Sequence, residues 1–157
     1  MLNIKSYRFK FDIWGLILFL LIMLPNFIWF ALPAPNDILR EESDTPFIDS
    51  IASVFQVLMV ISLCLIINSA FEKSINKIMK ISVSAMLLLY YAGWVFYYSG
   101  VTISFIILTL CIAPCMAFII FSIARKNIFA LISAIAFAIC HLIYGYFNFV
   151  FTIRFMS

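Results

Sequence analysis

Polar side chains recur at helical spacing in two strongly apolar stretches of the chain. Asp49, Ser53 and Gln56 are four and three residues apart, so on an α-helix they share one face. A second stripe follows near the C-terminus and consists of His141, Tyr144, Asn148 and Thr152. Such a set of carboxylate, imidazole, amide and hydroxyl groups could hydrogen-bond a polar ligand or exchange protons with it.

Further polar and aromatic groups lie at comparable depths in the other apolar stretches. Asn26 follows Pro25 in the first stretch, and the third contains Tyr90, Tyr91, Trp94, Tyr97 and Tyr98. Polar groups within a membrane are costly and usually face the bundle interior or a wet cavity. We therefore predict one outward-facing pocket with His141 at its floor and tyrosines as its walls. Its predicted ligand-binding residues are Asn26, Asp49, Ser53, Gln56, Tyr90, Tyr91, Trp94, His141, Tyr144 and Asn148.

Each of these groups also has a structural interpretation. The tyrosines are typical of an aromatic belt at the membrane interface, and Asp49 would suit the first turn of a helix, where the helix dipole favours a carboxylate. Ser53, Gln56 and Asn148 could join helices by hydrogen bonds. His141 could be a neutral side chain bonded to a neighbouring helix. The convergence on one side of the membrane, more than any single residue, favours the pocket.

The sequence contains no G-x-S-x-G, H-E-x-x-H, Walker or G-x-G-x-x-G pattern. Cys111 and Cys115 are four residues apart on one helical face, but the chain has a single histidine, so packing is favoured over a metal or haem site. Cys64 and Cys140 also lie in apolar stretches. We predict no metal site and assign no cofactor.

The composition is that of a membrane protein. Of 157 residues, 66% are hydrophobic and 11% charged, where soluble domains carry roughly a quarter charged residues. Asp, Glu, Lys and Arg are absent from 13–36, 50–71, 81–124 and 127–153. These runs exclude a soluble enzyme, a nucleic-acid-binding protein and a disordered protein.

The lengths of the charge-free runs predict the number of helices. About 20 apolar residues cross a hydrocarbon core of roughly 30 Å, so three runs are one span each and the run 81–124 must fold back. Gly100, after Tyr97-Tyr98-Ser99, supplies the turn. We predict an all-α bundle of five transmembrane helices in a single integral membrane domain over 1–157. The helices cover about 12–32, 47–71, 78–98, 101–123 and 128–152.

The basic residues predict the orientation, because cytoplasmic loops are enriched in Lys and Arg. A cytoplasmic N-terminus leaves only Arg40 and Arg154 outside. The residues then placed inside are Lys5, Arg8, Lys10, Lys73, Lys77, Lys80, Arg125 and Lys126. The C-terminus is therefore predicted to be extracytoplasmic, in a multi-pass protein of the cell membrane. The first apolar run is too long for a signal peptide, and we expect it to be retained.

The loop 33–46 is the one long hydrophilic segment. Asn36-Asp37 could cap a short helix over 38–43, and Asp44 or Thr45 could cap helix 2 with Pro46 at its first position. The loop is either a solvated connector or a lid across the outer mouth of the bundle. The predicted lid residues are Asn36, Asp37, Arg40 and Glu41.

Several features together resemble the tryptophan-rich sensory (translocator) proteins. They are the five helices, the longer loop after helix 1, Thr45-Pro46 at the start of helix 2, the run Trp94-Val95-Phe96-Tyr97-Tyr98-Ser99-Gly100 and Asn148 late in helix 5. The resemblance implies a pocket for porphyrins or sterol-like molecules inside five helices. The chain departs from that family in having no tryptophan in helices 2 and 5 and no proline-tyrosine step in helix 5.

Three classes of function follow. We favour a protein that binds or transports a small, partly apolar or amphipathic ligand from the outer side. The first alternative is an accessory or regulatory subunit, whose partner is a larger membrane complex or a second copy of the chain. The second is a membrane enzyme acting on lipid through Asp49, His141 and tyrosines, although no nucleophile is evident. Besides these, the lipid bilayer is the expected partner and nucleic acid is not.

Overall fold

The computed structural model describes residues 6–69 and 75–151 of the chain. These ranges contain five long helices: α1 (Ile13–Ala31), α2 (Pro46–Leu65), α3 (Lys77–Tyr98), α4 (Ser104–Ala124) and α5 (Ile128–Gly145). The last continues as a π-helical turn over Tyr146–Val150. All five are long and apolar enough to cross a membrane, so the chain is a multi-pass membrane protein and the predicted helical bundle is confirmed.

Polar side chains at the boundaries explain where three of the helices begin. Asp12 accepts a hydrogen bond from the Trp14 amide at 3.0 Å, and Asn76 and Asn127 cap α3 and α5 in the same way. Proline 46 is the first residue of α2, as predicted. Thr45 precedes it at the N-cap position but makes no side-chain capping bond.

Helix 2 ends earlier than predicted. Beyond Leu65 the chain forms a short strand, β2 (Ile66–Asn68), which pairs antiparallel with β1 (Tyr7–Phe9). The amides of Lys10 and Asp12 continue this pairing to the carbonyls of Leu65 and Cys64, at 3.0 and 2.7 Å. After Leu65 the backbone therefore forms hydrogen bonds with the N-terminal segment instead of continuing the helix. Residues 70 and 71 of the predicted helix lie outside the described ranges, as does Thr152 of predicted helix 5.

The loop also differs from its prediction. Only one 3-10 turn forms, over Ile38–Arg40, where a short helix over 38–43 was expected. Asp37 stands at its N-cap position without a capping bond, because its carboxylate binds other groups described below. At the far end of α3 the predicted turn is confirmed, with Gly100 at φ +85°.

Helix α4 lies at the centre of the bundle. It buries twelve residues, whereas α1 and α3 each bury four. It packs against α3 on one side and α5 on the other, α2 packs against α5, and α1 packs mainly against α2. At the α1–α2 contact, a Cβ on Gly15 would lie 2.5 Å from the Leu63 carbonyl oxygen, so the two backbones approach too closely for a side chain.

Helix α1 continues through Pro25, which lies inside it. Proline has no amide hydrogen, so it leaves the carbonyl of Leu21, four residues earlier, without its helical partner. The hydroxyl of Tyr91 donates to this carbonyl at 2.7 Å. A neighbouring helix thus replaces the missing bond, as is common for proline within membrane helices.

The chain segments between helices collect at two ends of the bundle. We call residues 6–12, 66–69, 75–80 and 124–128 the basic end, and residues 32–46, 98–104 and 146–151 the loop end. The Tyr7 hydroxyl and the Asn68 amide both donate to the Lys126 carbonyl, at 3.0 and 3.2 Å, which ties the basic end together. The basic residues predicted to be cytoplasmic meet here, apart from Lys5 and Lys73, which like Arg154 lie outside the described residues. The side of the membrane that each end faces stays a prediction.

Candidate functional site

Five of the predicted site residues line one cavity between α2 and α5, which we call the α2–α5 cleft. Its volume is about 240 Å³. The lining residues are Asp49, Ala52, Ser53 and Gln56 on α2 and Phe137, His141 and Tyr144 on α5. The two stripes expected from helical spacing therefore face each other. This volume lies below the roughly 300–1,000 Å³ of sites for drug-sized ligands, so the cleft suits a small molecule or the head of a larger one.

Three side chains of the cleft keep their hydrogen-bonding groups unused. Within the described part of the chain, the Gln56 amide, the His141 ring and the Tyr144 hydroxyl form no hydrogen bond with protein groups. Each is half-buried, so its polar groups are open to a partner from outside the chain. The cleft therefore offers donors and acceptors that the fold itself does not consume.

Local structure orients the other polar groups. The Ser53 hydroxyl donates to the Asp49 carbonyl at 2.9 Å, and Thr45 donates to the Asp49 carboxylate at 3.4 Å. Across the cleft, the His141 ring stacks on Phe137 with centroids 5.0 Å apart and planes 17° apart, and it also stacks with Tyr144 at 6.2 Å. Because Ser53 is exposed, the cleft opens at the surface between the two helices.

Asn148 does not line the cleft but bridges it at the loop end. Its amide donates to the Thr45 hydroxyl at 2.8 Å and to the Tyr144 carbonyl at 2.9 Å, and its oxygen accepts from the Asp44 amide at 2.6 Å. This contact lies one helical turn beyond Asp49 and Tyr144. Asn148 therefore does not share the cleft as expected, because the Thr45 hydroxyl, the Tyr144 carbonyl and the Asp44 amide use its polar atoms.

Four further predicted residues lie in a different seam, between α1 and α3. The Asn26 amide donates to the Tyr90 hydroxyl at 2.8 Å, and Tyr91 bonds the α1 backbone as described. Trp94 packs edge-on against Tyr90, with ring centroids 6.3 Å apart. Tyr90 and Trp94 are only 3% and 6% exposed. The single pocket with tyrosine walls is therefore wrong in its packing, because α3 lies against α4 and α1 while the cleft lies between α2 and α5.

Asp37 anchors the loop to the bundle. Its carboxylate accepts hydrogen bonds from the Trp29 indole at 2.9 Å, the Tyr97 hydroxyl at 2.7 Å, the Arg40 guanidinium at 2.8 Å and the Ala34 amide at 3.2 Å. Burial alone would raise the pKa of Asp37, but these hydrogen bonds outweigh burial and lower the pKa below its ordinary value. The carboxylate is therefore held as an anion.

The loop crosses the loop end from α3 to α5. The Leu39 amide donates to the Tyr97 hydroxyl at 3.1 Å, and the Asp44 amide reaches Asn148. We call residues 37–44 the strap. Two of the predicted lid residues, Asp37 and Arg40, hold the strap, while Asn36 and Glu41 are exposed. The partners Trp29 and Tyr97 were not predicted, because Tyr97 is 60 positions away from Asp37 and no sequence pattern links them.

A second cavity, which sequence reasoning missed, lies at the basic end. It has a volume of about 720 Å³ and lies between α1, α3, β2 and the α4–α5 junction. Its polar lining includes an ion pair of Arg125 with Asp12 at 2.6 Å, and Lys10 and Lys80 also line it. The available signal was an aspartate, Asp12, and an arginine, Arg125, each next to a long charge-free run.

Comparison of the chain with models of protein families, with curated proteins and with solved structures finds no match.

Proposed function

We propose that the protein binds a small, partly apolar ligand in the α2–α5 cleft, as a binding or transport protein of the membrane. The observation that carries the proposal is the set of unused polar groups on Gln56, His141 and Tyr144 around one cavity. A fold that needed these side chains only to join helices would pair them with each other or with backbone. Specific sites instead place a few convergent polar groups within an apolar wall.

The direction of access follows from the strap. Asn148, Thr45 and Asp44 bridge the loop end of the cleft, while the exposed Ser53 marks its open side. A ligand would therefore pass between α2 and α5 from the membrane, or displace the strap to enter from water. Access from the membrane favours a molecule with an apolar part and a small polar group.

The test removes the polar groups while keeping volume. Gln56→Leu and His141→Phe should each weaken retention of a co-purified molecule about twofold to tenfold, since one neutral hydrogen bond contributes roughly 0.5–1.5 kcal/mol. Mass spectrometry of the protein purified in mild detergent measures the retention. Thr109→Val is the matched control, because Thr109 bonds its own helix at Phe105 and does not line the cleft.

The result that contradicts the proposal is equally clear. If both cleft variants carry the same molecules as the wild type, the groups do not bind a ligand. Their thermal stability should then be unchanged or higher, because no hydrogen bond within the protein is lost. For a shared cavity, the double variant should lose less than the sum of the single losses.

The open side of the cleft supports the accessory subunit as a second candidate. A helix of a larger complex could place one polar side chain against Gln56 and Ser53, which is exposed at the opening. Cysteine introduced at Ser53 would then crosslink to a partner polypeptide in membranes. Labelling of the same cysteine without any crosslinked partner would favour the small ligand.

A further inference from the structure

The basic-end cavity has two chemically different parts. Along α1 and α3 its wall is apolar and is formed by side chains such as Ile17, Leu21, Val83 and Leu87. Toward the end of the bundle it is bordered by charged side chains. The cavity is therefore amphipathic along its length.

Arg125 dominates the polar part. Its side chain is 16% exposed and pairs with Asp12 through one nitrogen, at 2.6 Å. Asp12 is also committed to the Trp14 amide at the start of α1. The Nε atom of Arg125 is buried and has no acceptor among the residues that the structure describes. A buried guanidinium N–H without a partner favours an additional acceptor, and an anionic oxygen would be the strongest.

The charges of the described lining residues also favour an anionic ligand. Lys10, Lys80 and Arg125 are cationic, and Asp12 is the acidic residue among them. Among the described lining residues cations thus outnumber carboxylates, next to an apolar wall. This pattern favours a ligand with an acidic head over a purely hydrocarbon one.

The apolar part of the cavity lies in a gap between α1 and α3. The two helices are joined where Tyr91 bonds Leu21 and Asn26 bonds Tyr90. Between Trp14 and Leu21, a distance of about 10 Å along the helix axis, α1 instead borders the cavity. Trp14 is 60% exposed at its rim, so the gap is accessible from the surrounding membrane.

We propose that the basic-end cavity binds an anionic membrane lipid, with its acidic head at Arg125 and Lys80 and one tail between α1 and α3. The volume of about 720 Å³ holds a head and part of a tail. Basic pockets between membrane helices are a known way of recognising acidic lipid heads. This site is separate from the α2–α5 cleft, and the proposal does not depend on the function proposed for that cleft.

The experiment measures lipid retention by native mass spectrometry. The protein is reconstituted in bilayers of equal parts phosphatidylglycerol and phosphatidylcholine and released into detergent. The wild type should retain phosphatidylglycerol at least threefold more than phosphatidylcholine. Lys80→Gln should reduce this ratio at least threefold, whereas Lys77→Gln should not, because Lys77 is an exposed lysine on the same helix that does not line the cavity.

A second variant tests the apolar part. Val83→Trp fills the gap beside α1 without changing any charge, and it should reduce retention of both lipids. Lys80→Gln keeps the proposal falsifiable if this larger change prevents folding, because Lys80 is exposed.

Three results would overturn the proposal. Equal retention of the two lipids by the wild type would show no preference for an acidic head. Equal losses in Lys80→Gln and Lys77→Gln would show only general surface attraction. Full displacement of the lipid by glycerol phosphate would show a site for the free anion, with no contribution from the tail.

Discussion

Removal of one hydroxyl, by Tyr97→Phe, should weaken the attachment of the strap to the bundle. Tyr97 is 0% exposed, and its hydroxyl donates to the Asp37 carboxylate and accepts from the Leu39 amide. The bond to a charged group contributes about 1.5–3 kcal/mol and the bond to the amide about 0.5–1.5 kcal/mol. Since the ring itself is retained, we expect a loss of about 2–4 kcal/mol in the free energy of unfolding.

The neighbouring tyrosine supplies the control. Tyr98 donates to the Leu32 carbonyl at 2.7 Å in an exposed setting, so Tyr98→Phe should cost only about 0.5–1.5 kcal/mol. Equilibrium unfolding in mixed detergents measures both variants. Asp37→Asn completes a double-mutant cycle with Tyr97→Phe, in which the two losses should be non-additive by about 1 kcal/mol or more.

Two outcomes would refute this reasoning. If Tyr97→Phe costs no more than Tyr98→Phe, the carboxylate bond does not hold the strap. If the losses at Tyr97 and Asp37 add, the two residues act independently and the network is only a packing arrangement.

Three other predictions concern the pH dependence of the strap, the close contact of α1 with α2 and the orientation in the membrane. The pKa of Asp37 is lowered in the folded protein, so its contribution to stability is complete above the ordinary pKa of about 3.8 and is lost as the pH falls through the folded pKa. Cleavage of the strap by an acid protease should therefore rise below pH ~4 in the wild type but not in Asp37→Asn. Gly15→Ala should destabilise the protein by about 2 kcal/mol or more, because its Cβ would meet the Leu63 backbone. Gly93→Ala should cost less in the same unfolding assay, because its Cβ would meet side chains and not backbone, at 3.1 Å on Leu110 and 3.5 Å on Thr109. In intact cells, a cysteine at Glu41 should react with an impermeant maleimide and one at Lys126 should not, and the reverse labelling would invert the predicted orientation.

Local properties of the chain were enough to predict the number of helices and several of their boundaries. Charge-free runs of limited length can satisfy their backbone groups in a membrane only as helices, and Pro46 and Gly100 act through their own backbone angles. The helical period also predicted which polar residues share a face of α2. These features depend on neighbours within a few positions, so the sequence alone determined them.

Which element each of those helix faces packs against depended on tertiary structure. His141 and Tyr144 face the α2–α5 cleft, whereas Asn148 on the same stripe bonds the strap. Asn148 lies in the π-helical turn at the loop end, where the backbone of the strap reaches it. The helical period predicts which residues share a face, but it does not predict which helix packs against that face. For that reason Asn26 and Tyr90, which lie in the α1–α3 seam, were wrongly predicted to share a pocket with the residues of the cleft.

The anchoring of Asp37 and the basic-end cavity also arise from contacts between distant positions. Asp37 and Tyr97 are 60 residues apart, and Arg125 and Asp12 are 113 apart. Each residue in isolation suits a solvated loop or a helix end. Only the packing of α1 beside α3 and α4 brings these charges and hydroxyls together and removes them from water, which is why their roles could be assigned from the structure and not from the sequence.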